Sequence, residues 1–110
     1  MTITVARRFH FVAEHHIPGL PGYDKPHEHL YVVEVKAASD RVEFFDTAKI
    51  EEWWASLPEH DGEDLNGIYE LTTVEVIAAD LLTSAREALG DAIVAVTVWE
   101  DHARWGRAKA

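Results

Sequence analysis

The stretch from Thr72 to Gly90 constrains this chain more than any other. Thr72-Thr73-Val74-Glu75 has a capping-box pattern, in which the Glu75 carboxylate can reach back to the Thr72 amide. Val74, Ile77, Ala78, Leu81, Leu82, Ala85 and Leu89 then recur at helical spacing and make one continuous apolar face. Gly90 stops the helix. A helix apolar along one face must bury that face against another element.

The rest of the sequence supplies a sheet to receive it. Residues 2–12 read as a strand, with Ile3, Val5, Phe9 and Phe11 on one parity, interrupted by Arg7. Residues 17–26 hold three prolines and two glycines and read as a loop. Residues 27–37 form a second strand, rich in Tyr31, Val32, Val33 and Val35. A turn at Ser39-Asp40-Arg41 predicts a short third strand over 42–45, closing a hairpin. Asp46 or Thr47 caps a first helix running to Leu57, with Ile50, Trp53, Trp54 and Leu57 on its inner face and Pro58 ending it. Residues 59–71 are acidic, contain glycine and read mostly as loop. A fourth strand spans 92–100, and the tail after Asp101 is polar apart from Trp105. The order β, β, β, α, α, β predicts an α+β fold, with a four-stranded antiparallel sheet carrying two helices on one face. The length of 110 residues fits one domain over residues 1–110.

Composition narrows function mainly by exclusion. With 20 acidic against 10 basic residues the net charge is −10, which disfavours nucleic acid as a partner. There is no cysteine, so disulfides, thiolate metal sites and a cysteine nucleophile are excluded. That absence fits a cytoplasmic protein. The N-terminus lacks the pattern of a signal peptide, and no apolar run is long enough to span a membrane.

The residues that point to chemistry are histidines. His27 and His29 lie two apart on a predicted strand, so period-two alternation puts both imidazoles on one face. His15 follows the first strand, where an antiparallel neighbour can bring it alongside, and His16 competes with it for that place. Three imidazoles with one open position are a known catalytic zinc arrangement. Alternation sends Glu14 and Glu28 to the opposite face.

At these residues the sequence resembles the 6-pyruvoyl-tetrahydropterin and 6-carboxytetrahydropterin synthases. Phe9-His10-Phe11-Val12-Ala13-Glu14-His15-His16-Ile17 is similar to that family's Phe-x-Phe-x-Ala-Ala-His-Arg-Leu. His27-Glu28-His29-Leu30-Tyr31 is similar to its His-Gly-His-Asn-Tyr. The resemblance continues in order through Val42–Asp46, Asp61–Asn66, Thr73-Val74-Glu75 and Val98-Trp99-Glu100. It implies the tunnelling fold, of ββααβ-type order with an extra hairpin strand. It further implies homo-oligomers, trimers or stacked hexamers, with sites between subunits. The family's zinc ligands fall on His15, His27 and His29, which settles the choice against His16. Its substrate-anchoring glutamate falls on Glu100, helped by the turn holding Thr73 and Glu75.

Two departures alter the expected chemistry. Tyr23 stands where the family has its catalytic cysteine, and Gly62 where it has its catalytic histidine. Asp61 alone of that set remains, with Tyr23 and His60 as the nearest candidates to move protons and Glu14, Glu28 and His102 as further ones. Trp99 and Trp105, near Glu100 in sequence, could line a pocket for a planar ring. The expectation is a zinc-dependent lyase or cyclase acting on a small carbonyl-bearing aromatic or heterocyclic substrate. The alternatives are an orthodox synthase with a substituted base and a non-catalytic metal-containing binder.

Overall fold

Apolar alternation in two long strands builds the floor of the molecule. The computed structural model describes residues 1–40, 47–57, 64–101 and 103–110. The elements are β1 (Ile3–His15), β2 (His27–Ser39), α1 (Thr47–Ser56), a short 3-10 turn (Leu65–Gly67), α2 (Val74–Leu89), β3 (Ile93–Glu100) and β4 (Arg104–Lys109). The four strands form one antiparallel sheet in the order β1-β2-β3-β4. Phe9, Phe11, Tyr31, Val33, Val35, Val96 and Val98 share its inner face and are buried. The opposite face carries Arg8, Glu34, Thr97, Trp99, Trp105 and Arg107. There the Arg8 Nε lies 2.8 Å from the Glu34 carboxylate, and its guanidinium lies 5.2 Å from the Trp99 ring centre.

Both helices lie on the inner face. α1 buries Ile50 and Trp53, and Trp54 stacks on Phe9 with ring centres 4.7 Å apart. Of the predicted stripe, α2 buries Val74, Ile77, Ala78, Leu81, Leu82 and Ala85, and Leu89 is partly buried. Full burial of a side chain of this kind contributes about 1.5–3 kcal/mol, so the stripe anchors α2 firmly. Trp53 Nε1 donates to Ser84 Oγ at 3.0 Å and ties the two helices together. Gly90 takes a φ of +90° at the C-cap of α2, and its amide donates to the Arg86 carbonyl.

Two expectations change, the fourth strand and the N-cap of α2. The fourth strand of the sheet is β4, in the tail that reads as polar. Its inner positions are Arg104, Gly106 and Ala108, which give no apolar signal, and a Cβ on Gly106 would meet the Glu75 backbone nitrogen at 3.0 Å. The short strand expected over 42–45 lies outside the described residues, as do Asp46 and Pro58. The N-cap of α2 is Thr73 rather than Thr72, and no side chain caps it. Thr72 is drawn inward instead, its hydroxyl donating to the His16 carbonyl at 3.2 Å.

Candidate metal centre

The chemistry gathers at one end of the sheet. β1 keeps its alternation through its last residue, so His15 falls on the same face as Phe9, Phe11 and Ala13. Antiparallel register sets His15 opposite His27 and Ala13 opposite His29. The three imidazoles therefore meet, with ring centres 4.5, 4.9 and 4.6 Å apart. One ligand nitrogen from each lies within 4.8 Å of the others.

Each ring is fixed through its other nitrogen. His15 Nδ1 donates to the Thr72 carbonyl at 3.1 Å, and His27 Nδ1 to the Lys25 carbonyl at 2.8 Å. His29 Nδ1 donates to the Asp101 carboxylate. Carbonyl and carboxylate oxygens only accept, so each Nδ1 carries the proton and each Nε2 presents a lone pair. All three Nε2 atoms are buried and lack a hydrogen-bond partner. Burial pulls the His15 pKa below the ordinary imidazole value, partly opposed by its bond to Thr72 and the Glu100 charge. Three neutral, oriented imidazoles with convergent free nitrogens fit a zinc ion, and these residues can hold one.

The chain just past His15 is clamped. The His16 amide donates to Asn66 Oδ1 at 2.9 Å, and Asn66 Nδ2 donates to the His16 carbonyl at 3.0 Å. This backbone grip leaves His16 beside the cluster and outside it.

Around the triad stand groups of two kinds. Glu100, 6% exposed, points its Oε1 to within 3.0 Å of His29 Nε2 and 3.9 Å of His15 Nε2, without hydrogen-bond alignment. Tyr31, opposite Glu100 in the register, stacks on Phe11, and its buried hydroxyl has no hydrogen-bond partner. Burial, with the Glu100 and Asp101 charges, pushes that hydroxyl well above the ordinary tyrosine range. Tyr23 lies nearer the surface, its ring centre 6.3 Å from that of His27. The Arg104 guanidinium packs over the Tyr23 ring and reaches its hydroxyl at 3.3 Å.

Of the residues expected from sequence, the structure thus brings together His15, His27, His29, Glu100 and Tyr23. Thr73 and Glu75 open α2, with Thr73 Oγ1 buried and unpartnered and Glu75 exposed. Asp61 and His60, with His102, lie outside the described residues. Glu14 and Glu28 pair across β1 and β2 on the face away from the triad. Trp99 pairs with Trp105 on the face opposite Glu100, so within one chain neither lines that side of the site. Sequence reasoning missed Asp101 and Arg104. Asp101 has a φ of +52°, a conformation that aspartate tolerates at a strand-end turn.

Fold and site together define a small α+β protein with a three-histidine centre suited to a metal ion. A family model described as 6-pyruvoyl tetrahydropterin synthase matches residues 4–110, and the chain belongs to that family. Its fold is also similar to the crystal structure of an uncharacterized protein from Wolinella succinogenes, with a TM-score of 0.74 at 15% identity. That similarity covers 99% of this chain and 98% of the other. No curated protein matches the chain significantly. Among the described residues, no helix is long and apolar enough to cross a membrane.

Proposed function

We propose that this chain is a zinc-dependent, pterin-synthase-like enzyme with altered chemistry. It acts as a lyase or cyclase on a small aromatic or heterocyclic substrate that bears a carbonyl. The observation that carries the reading is the set of three buried, unpartnered Nε2 atoms, each on a ring oriented through Nδ1. His15, His27 and His29 would hold the ion. Bound there, zinc supplies Lewis acidity toward a substrate carbonyl or hydroxyl.

The chain's own residues do the rest. Glu100 is a buried carboxylate beside the triad, placed to accept an N–H from a substrate ring. The buried Thr73 hydroxyl offers a second polar contact, and Glu75 stands in the same turn. Protons are moved by Asp61, with Tyr23 or His60. Tyr23 is supported by its place beside His27 and by the Arg104 guanidinium at its hydroxyl. The working form is a cytoplasmic homo-oligomer, a trimer or hexamer. β1 and β4 are sheet edges, and such edges call for partners.

Elemental analysis of tag-free protein beside His27→Ala tests the metal. About one zinc per chain, lost in the variant, is expected. Full turnover after zinc removal and after Glu100→Ala would overturn the reading. Tyr23, standing in the place of the family's cysteine, also favours a second reading, an orthodox synthase with a substituted base. Product from dihydroneopterin triphosphate supports that reading, and none above background removes it.

A further inference from the structure

We propose that the outer face of the sheet carries a second binding site, for a small aromatic carboxylate, centred on Arg8 and Trp99. A cleft of about 280 Å³ opens there, lined by Arg8, His10, Val32 and Trp99. That volume lies at the lower end of small-molecule sites and suits a compound of one or two rings. The cleft is separate from the three histidines. Trp99 alternates with Glu100, and Val32 with Tyr31, so the two sites lie on opposite faces of the same strands. The proposal therefore does not depend on the zinc reading.

Charge selects an anion. Register lines up Ala6, Lys36, Ala95 and Lys109 in one row across the four strands, and Arg8, Glu34, Thr97 and Arg107 in the next. These two rows hold four cations against one carboxylate, in a chain whose net charge is −10. The carboxylate is spent within the rows. Glu34, 7% exposed, accepts from Arg8 Nε at 2.8 Å and lies 3.7 Å from Lys36 Nζ. Held through Nε, the exposed Arg8 guanidinium is oriented in advance, and its terminal nitrogens form a fork that matches a carboxylate.

The row beyond supplies a surface for a ring. It runs His10, Val32, Trp99, Trp105. Arg8 lies over the Trp99 ring and Arg107 over the Trp105 ring, 5.2 and 5.1 Å from the ring centres. A cation beside an indole meets the two parts of an aromatic carboxylate, and Val32 adds an apolar wall. A neutral ring would leave the cations unanswered, and a simple anion would leave Trp99 and Val32 without a partner.

The test titrates the full chain with 2-naphthoate by calorimetry and follows the Trp99 indole N–H by NMR. Saturable binding that moves the Trp99 resonance is expected. Naphthalene-2-methanol, which lacks the charge, and acetate, which lacks the ring, should each bind at least about tenfold more weakly. Arg8→Lys keeps a charge beside Glu34 but loses the planar fork, and it should weaken naphthoate binding about tenfold. Trp99→Leu should weaken it similarly, and Lys109→Gln, outside the cleft, by less than about twofold. An equal loss in Lys109→Gln marks a diffuse charge effect, and a loss in His27→Ala marks the histidine site; either overturns the proposal. A Trp99 resonance that stays still at saturation also overturns it. No binding, with the Trp105 indole protected from hydrogen exchange, places a second copy on this face and refutes the site equally. Should Arg8→Lys or Trp99→Leu not fold, the wild-type resonance and the two analogues decide.

Discussion

Replacing Asp101 by asparagine probes how strongly one hydrogen bond behind His29 governs the proposed metal centre. Asp101 accepts from His29 Nδ1 through one oxygen and from the Leu30 amide, at 2.9 Å, through the other. Asparagine tolerates the same positive φ, so the turn survives the change. It retains one acceptor and replaces the other by an NH₂ donor. If the amide oxygen stays on Leu30, His29 Nδ1 meets a donor and must give up its proton. The proton then moves to Nε2, and the nitrogen aimed at the ion is blocked. Loss of such an orienting partner typically weakens metal binding about 10–100-fold, or roughly 1.4–2.7 kcal/mol. Metal-free stability falls less, by about 1 kcal/mol, because the Asp101 side chain is 47% exposed and water screens the pair. Chelator competition at fixed neutral pH, beside a denaturation curve of the metal-free protein, separates the two effects. Zinc affinity within twofold of wild type, in a folded variant, would refute the orienting role. Asp101→Gly, which keeps the turn and removes both acceptors, should weaken binding at least as much.

Gly106→Ala places a methyl 3.0 Å from the Glu75 nitrogen and 3.2 Å from its Cα, both helix backbone. Overpacking of this kind costs about 1–3 kcal/mol, so thermal denaturation should show a melting temperature lower by roughly 4–12 °C. Phe11→Ala removes a buried ring stacked on Tyr31 and should cost about 3–5 kcal/mol in denaturant unfolding. The lowered pKa of His15 means that the unfolded chain takes up its proton first as pH falls. Metal-free stability should therefore decline as pH drops below about 6.5 and stop declining, as far as His15 is concerned, once the folded protein titrates. Unfolding at stepped pH, wild type beside His15→Gln, checks this, and equal slopes for the two would count against it.

What could be read in the sequence followed from side-chain periodicity. Alternation placed His27 and His29 on one face, and the apolar stripe of α2 was visible residue by residue. Alternation also set Glu14 and Glu28 on the far side. β4 could not be read this way, because close packing against α2 requires glycine and alanine where an apolar signal would otherwise stand. The acceptors that orient His15 and His27 are main-chain carbonyls, to which any residue type could contribute. Thr72 was legible as a helix-start residue, yet its hydroxyl serves the His16 carbonyl. The two tryptophans near Glu100 in sequence fell on the wrong face for the reason that made the histidines predictable. Adjacent strand residues point opposite ways.

The thirteen-pair ladder between β1 and β2 ends on His15 opposite His27. Slip one strand by a single residue and its side chains exchange faces, so the triad is scattered to both sides of the sheet. An ion seated by all three imidazoles therefore proofreads the hairpin. It recognises the native alignment and ignores neighbouring ones, and its binding free energy accrues to that alignment alone. Under the zinc reading, the cluster proposed to serve chemistry would also mark which pairing of the two longest strands is correct.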